Sequence, residues 1–141
     1  MLEFINVNHA YDKEVIIKDF SLKIIPNKVT SLLGPSGSGK TTILRLASGL
    51  EKIQNGQISF ENKFFSEKSL TLKPEERKIG YVFQDCALFP HLNVEENIFY
   101  AFQKSNSDLK QKINILLKKH NFLIFRERFP HELSGGQKQL V

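Results

Sequence analysis

Gly34-Pro35-Ser36-Gly37-Ser38-Gly39-Lys40-Thr41-Thr42 (GPSGSGKTT) is the stretch whose reading decides the fold. It fits the pattern G-x-x-x-x-G-K-[ST], with Gly34, Gly39, Lys40 and Thr41 in the fixed positions. Each residue type has its own physical task there. Glycines let the backbone turn tightly, so that successive N–H groups converge on an anion. A helix beginning at the end of such a loop aims its positive pole at the same point. Lys40 adds a point charge for the outer phosphates, and the Thr41 hydroxyl suits Mg²⁺. The pattern belongs between a strand and a helix. Val29-Thr30-Ser31-Leu32-Leu33, short, apolar and β-branched, predicts the strand, and Thr42–Ser48 predicts a helix stopped by Gly49. A Gly/Ser-rich linker that happened to hold a lysine would not explain these flanks. The expectation is a chain that binds a nucleoside triphosphate, or descends from one that did.

Composition bounds the rest. With 141 residues, 40% hydrophobic and 25% charged, the chain has the make-up of one ordinary globular domain. No apolar run approaches the ~20 residues needed to span a bilayer. The start, Met1-Leu2-Glu3-Phe4, lacks the basic and apolar regions of a secretory signal. Cys86 is the one cysteine, which excludes an internal disulfide and fits a small filler. The net charge of +5 could suggest nucleic acid or an anionic membrane. Part of the excess is local, since Lys104, Lys110, Lys112, Lys118 and Lys119 face only Asp108 within one segment. Those lysines alternate with an apolar stripe, so a solvated helix face is the better reading, and no nucleic-acid partner is expected.

Along the chain, Phe4–Asn8 and Phe20–Ile24 alternate apolar and polar residues and predict half-buried strands, with Tyr11 in a turn-like stretch between them. Two alternating strands before a buried one suggest an antiparallel layer leading into a parallel, helix-covered core. Asn55-Gly56 is a turn signal before a short strand, Gln57–Phe60. Glu61–Lys73 reads as a surface excursion closed by Pro74, and Ile79–Phe83 as a further buried strand with Gln84 at its end. Asn93 and Glu96 have capping-box spacing, and Val94, Ile98, Ala101 and Phe102 supply that helix with an apolar face. Another helix runs from about Ser107 to His120, with Leu109, Ile113, Leu116 and Leu117 on one side. Ser134 and Gln137 repeat the capping-box spacing. Gly135 and Gly136 in that first turn cost helix stability, and make sense where a backbone approaches another object closely.

Three residue sets together resemble the ATP-binding subunits of ABC transporters. GPSGSGKTT is similar to their Walker A loop, Tyr81-Val82-Phe83-Gln84 (YVFQ) to their Q-loop, and Leu133-Ser134-Gly135-Gly136-Gln137 (LSGGQ), after Pro130-His131-Glu132, to their signature. The phosphate loop alone occurs in many NTPases; all three in this order are far more specific. The resemblance covers essentially the whole chain. It implies an α/β fold: a P-loop NTPase core with an antiparallel β subdomain over about 1–85, a helical subdomain over about 86–133 and the signature at 133–137. It implies MgATP held by Gly34, Pro35, Ser36, Gly37, Ser38, Gly39, Lys40, Thr41 and Thr42, with Thr41 and Gln84 towards the metal. Lys40 and Gln84 take the catalytic part. Tyr11 resembles the aromatic that stacks on adenine, though a tyrosine after a strand is otherwise an ordinary surface or core residue. Ser134, Gly135, Gly136 and Gln137 resemble the signature that caps ATP bound by a second copy, so the nucleotide would sit within a homodimer interface. Further implied partners are transmembrane permease subunits and, indirectly, a solute-binding protein, with the chain peripheral at the cytoplasmic face of the membrane.

The segment Asp85–Phe102 is similar to importer subunits serving ferric iron, polyamines or related solutes, with Phe89-Pro90-His91-Leu92 where they meet the permease. His91 reads as a loop histidine rather than a metal ligand, because no second ligand stands at a suitable spacing. In this family the Walker B aspartate, the glutamate that polarises water and the switch histidine follow the signature, and the sequence ends at Val141, with Leu140 where an arginine is usual. The Walker B strand is the family's core neighbour of the strand entering the phosphate loop, so its absence is expected to leave an apolar edge and marginal stability. A second reading is therefore a hydrolysis-incompetent nucleotide-binding fragment with no transport activity of its own. A third, an ABC-type ATPase acting on nucleic acid, lacks the large insertion such proteins carry between loop and signature.

Overall fold

Strand β1 (Leu2–Tyr11) opens the chain and β2 (Glu14–Ile24) returns antiparallel to it, but neither keeps a simple two-residue alternation. Phe4 pairs with Leu22, Val7 with Phe20 and His9 with Ile17, so one extra residue on β1 is answered by one on β2. The extra turns fall at Asn6 and Asp19, both at φ 46°. Side chains replace the ladder bonds lost there. The Asp19 N–H donates to the Asn8 Oδ1 (2.9 Å) and the Asn6 N–H to the Ser21 Oγ (2.9 Å). The bulges bring Phe4, Val7 and His9 to the buried side, where strict alternation would have separated Phe4 from Val7.

These observations come from a computed structural model, which describes residues 1–67, 69–100, 107–119 and 122–141 and leaves the side chains of 107–110 and 116 undescribed. The chain divides into two compact units, 1–81 and 82–141.

The first unit is a five-stranded antiparallel sheet in the order β2-β1-β3-β4-β5, with β3 (Asn55–Phe60), β4 (Lys63–Glu67) and β5 (Leu70–Thr71). Helix α1 (Lys40–Ser48) covers one face. Ile43, Leu46 and Ala47 of α1 pack on Phe4, Val7, Ile17, Ile58 and Phe65 of the sheet. Fully burying side chains of this size stabilises by about 1.5–3 kcal/mol each, which makes this contact the unit's main source of stability.

Several sequence expectations are corrected here. Asn55-Gly56 is no turn: it begins β3, where the register with β1 shifts, and Gly56 (φ 89°) lies so close to β1 that an added Cβ would meet the carbonyl oxygens of Ile5 and Asn6. The stretch Glu61–Lys73 is no shapeless excursion but supplies β4 and β5. Glu61 (φ 48°) and Asn62 (φ 67°) form the two-residue reversal from β3, both at the positive φ that a type I′ hairpin requires. Val29–Leu33 and Ile79–Phe83 are not strands. Val29, Leu33 and Val82 are almost fully exposed, while Leu32 and Ile79 still reach the core. A strand exists only through a ladder of hydrogen bonds to a neighbour, and the sheet of the described residues includes neither run.

Helix α2 (Pro74–Arg77) places Arg77 in the core at 3% exposure. Its Nη1 donates to the Leu46 (2.7 Å) and Ala47 (2.9 Å) carbonyls at the end of α1. Nη2 donates to the Ser66 Oγ (2.7 Å) and the Phe65 carbonyl (3.2 Å), and Nε to the Leu72 carbonyl (3.0 Å). Burial lowers its pKa, yet the cation sits at the negative pole of α1 with every N–H direction used.

The second unit holds α3 (Val94–Tyr100), α4 (Ser107–Lys119) and α5 (Gly135–Leu140) around Val94, Ile113, Leu117, Phe122 and Leu133. The Asn93–Glu96 capping box forms in both directions, at 2.8 and 2.9 Å. The first N–H groups of α3 donate to the Arg128 and Arg126 carbonyls, and the Arg126 guanidinium grips the Glu95 carboxylate at 2.7 Å. Val94, Ile98, Ile113 and Leu117 join this core as their spacing predicts. Ala101, Phe102 and His120, and the side chains of Leu109 and Leu116, lie outside the described residues. No helix among the described residues is long and apolar enough to cross a membrane.

Replacing Arg77 by Met should strip five acceptors of their donor while keeping most of the volume. An expected loss of about 3 kcal/mol or more would appear as a lower urea midpoint at unchanged slope.

Candidate functional site

The loop of residues 34–39 joins α1 at Gly39, which turns left-handed (φ 84°) as the N-terminal cap. An added Cβ there would lie 2.6 Å from the Ile17 Cδ1 and 3.2 Å from the Ile16 Cγ2, so the start of α1 is seated directly against β2. No side chain caps this end, and its first turn carries no acidic residue. The positive pole of α1 is thus left for an anion from outside the chain.

Lys40 bends back over the loop. Its Nζ donates to the Pro35 (2.6 Å) and Gly34 (2.9 Å) carbonyls and to the Ser38 Oγ (3.3 Å). The Ser38 N–H meets the Pro35 carbonyl at 3.3 Å, which closes the turn. Gly34, Pro35, Ser36, Gly37 and Ser38 are exposed, and so is Thr41 on the first turn of α1, while Thr42 is buried against the sheet. Lys40 and the loop amides thus stand at the start of α1, with Thr41 exposed on its first turn. The residue types fit a polyphosphate with a divalent cation: an ammonium, main-chain amides at a helix start and a hydroxyl oxygen. Among the described residues no three His, Cys, Asp or Glu side chains converge on a metal.

Tyr11 ends β1 in the same unit, 39% exposed. Its ring stands edge to face with His9, centroids 4.7 Å apart at 87°. The neighbouring Tyr11 and Tyr81 hydroxyls raise the guanidinium pKa of Arg45 on α1, which lies 3.9 Å from the Glu51 carboxylate. Sequence reasoning missed His9 and Arg45. The i, i+2 spacing of His9 and Tyr11 on one strand was the available signal for the first; nothing local pointed to the second.

Gln84 and the segment 134–137 belong to the 82–141 unit. Gln84 is exposed. Ser134 caps α5 as its spacing predicts, its N–H donating to the Gln137 Oε1 (2.8 Å) and its Oγ accepting from the Gln137 N–H (3.3 Å). Side chains built on Gly135 and Gly136 would meet nothing within 4 Å, so no packing within the described chain explains these glycines. Asn97 organises residues 89–93: its amide accepts from the Phe89 N–H (2.8 Å) and donates to the Leu92 (2.9 Å) and Asn93 (3.0 Å) carbonyls.

A mononucleotide-type phosphate loop on a helix–sheet unit, followed by a capped LSGGQ helix, defines an ATP-binding-cassette type of protein. The family model described as ABC transporter matches residues 17–141, and the chain belongs to that family. It is 37% identical over 139 residues to "Fe(3+) ions import ATP-binding protein FbpC 2" of Haemophilus influenzae, covering 96% of this chain and 39% of that protein. It is 38% identical to "Spermidine/putrescine import ATP-binding protein PotA" of Nitrosospira multiformis, covering all of this chain and 39% of that one. Among solved structures it is similar to the dimeric bacterial ABC transporter cassette MJ0796, at 30% identity and a TM-score of 0.81, over 99% of this chain and 66% of the cassette. The same cassette bound to ADP and Pi matches with a TM-score of 0.75. The chain thus spans about two-fifths of the length of these curated relatives.

Gly39→Ala should cost about 2–4 kcal/mol, combining left-handed strain with the clash on Ile17, whereas Gly37→Ala, at φ 80° in open space, should cost about 1–2 kcal/mol. Paired urea titrations would read the difference.

Proposed function

We propose that these residues form the nucleotide-binding part of an importer ATPase, one that couples MgATP binding and hydrolysis to uptake of a small solute. The observation that carries this is the uncapped positive end of α1, with Lys40 and the loop amides around it. In this reading Gly34, Pro35, Ser36, Gly37, Ser38, Gly39, Lys40, Thr41 and Thr42 receive the phosphates. Thr41 ligates Mg²⁺ with help from Gln84, and Tyr11 stacks on adenine. Lys40 neutralises charge on the outer phosphates as the bond to the leaving phosphate loosens. Gln84 orients water and reports nucleotide state to a permease.

Ser134, Gly135, Gly136 and Gln137 act on ATP held by a second copy. Their support is the open surroundings of both glycines, which leave room for a phosphate to approach main-chain amides. Residues 89–92, held in shape by Asn97, form the surface offered to membrane-embedded permease subunits, and through them to a solute-binding protein. The names of the relatives, which specify import of Fe(3+) ions, of spermidine and putrescine, and of sulfate or thiosulfate, support uptake of a small solute, of ferric iron or polyamine type in this reading, with the chain at the cytoplasmic face of the membrane.

Titration calorimetry with MgATP tests the site. Binding is expected, weakened about tenfold to a hundredfold in Lys40→Ala, and weakened again when EDTA removes the metal. Equal affinity in wild type and Lys40→Ala would refute it. Steady-state phosphate release then decides between turnover and binding alone: saturable binding with no release would assign these 141 residues the binding step only.

A further inference from the structure

His9 is 5% exposed, and its Nε2 is the buried side-chain nitrogen for which no partner is found among the described residues. A core needs no such atom, since an isoleucine or phenylalanine would fill the space without burying an unsatisfied polar group. The ring is nevertheless held rigidly. Its Nδ1 lies 2.9 Å from the Lys52 carbonyl, which can only accept, so the proton sits on Nδ1 and the ring orientation follows.

The next residue is clamped as well. The Gln54 side chain accepts from the Ala10 N–H (2.8 Å) and donates to the Ala10 carbonyl (3.0 Å). The Gln54 N–H also holds the Asn8 carbonyl at 3.0 Å. The end of β1 is thus stapled to the segment that follows α1. Tyr11 then receives the imidazole edge to face on its ring.

We infer that His9 is a positioning residue for the Tyr11 platform: it fixes the ring that faces the base against the clamped end of β1. This rests on the proposal that Tyr11 stacks on adenine. A platform fixed beforehand loses less rotational freedom when the base arrives, and that difference appears as affinity.

The experiment compares affinities of the full chain for MgATP and for magnesium tripolyphosphate, which lacks a base. His9→Leu is expected to weaken MgATP about 3- to 10-fold and to leave tripolyphosphate within about 2-fold. In a Tyr11→Ala background, His9→Leu should have no further effect on MgATP. His9→Gln, which keeps a polar side chain but loses the ring contact, should act in the same direction, and it decides the matter should His9→Leu fail to fold. Equal losses for both ligands, or losses additive with Tyr11→Ala, would overturn the inference while leaving the stacking role intact. An unchanged MgATP affinity in Tyr11→Ala would instead overturn the stacking role, and this inference with it.

Discussion

A helix packed on a sheet has two ends whose peptide groups lack partners, and α1 treats its two ends in opposite ways. At the carboxyl end the buried guanidinium of Arg77 takes the Leu46 and Ala47 carbonyls and ties them to Ser66 and Phe65 of β4. A cation this deep is normally costly. Here the helix dipole and neutral acceptors compensate it, so it needs no carboxylate partner. The other end is left bare. The sheet, the helix and the loop keep their mutual geometry because one end of α1 is closed by the protein itself, which leaves the other available for a ligand.

That asymmetry explains how the unit can hold a charged ligand while having only a modest core. Ile43, Leu46 and Ala47 set the distance from α1 to the sheet. Arg77 stops the helix from sliding along its axis, and Gly39 lets its first residue rest on Ile17. Displacement of any of these would move the loop amides relative to Tyr11. Preorganisation of this kind matters because donors aimed in advance lose little on binding.

Much of this was legible in the chain. The phosphate loop, the Gly49 stop, both capping boxes and the inward faces of α3 and α4 follow from local rules, since the interactions concerned lie within a few residues. What sequence reading missed depends on neighbours distant in sequence. Asn55-Gly56 has the composition of a turn, yet it serves β3 because the backbone of β1 passes too close for a side chain. Glu61-Asn62 makes a hairpin without the usual glycine. Arg77, in a highly charged stretch, looks like a surface residue until the carbonyls of α1 are placed beside it. Val29–Leu33 and Ile79–Phe83 have the composition of strands, but composition cannot supply the partner that a ladder needs.

The paired irregularities at Asn6 and Asp19 have a consequence for how copies of this protein meet. Strand β2 lies at an open margin of the sheet, where a flat, regular ladder would invite another molecule to add its own. The kinked backbone and the Lys18 and Lys23 side chains break that row of donors and acceptors into short, charged pieces. A margin of this form discourages continuous sheet extension.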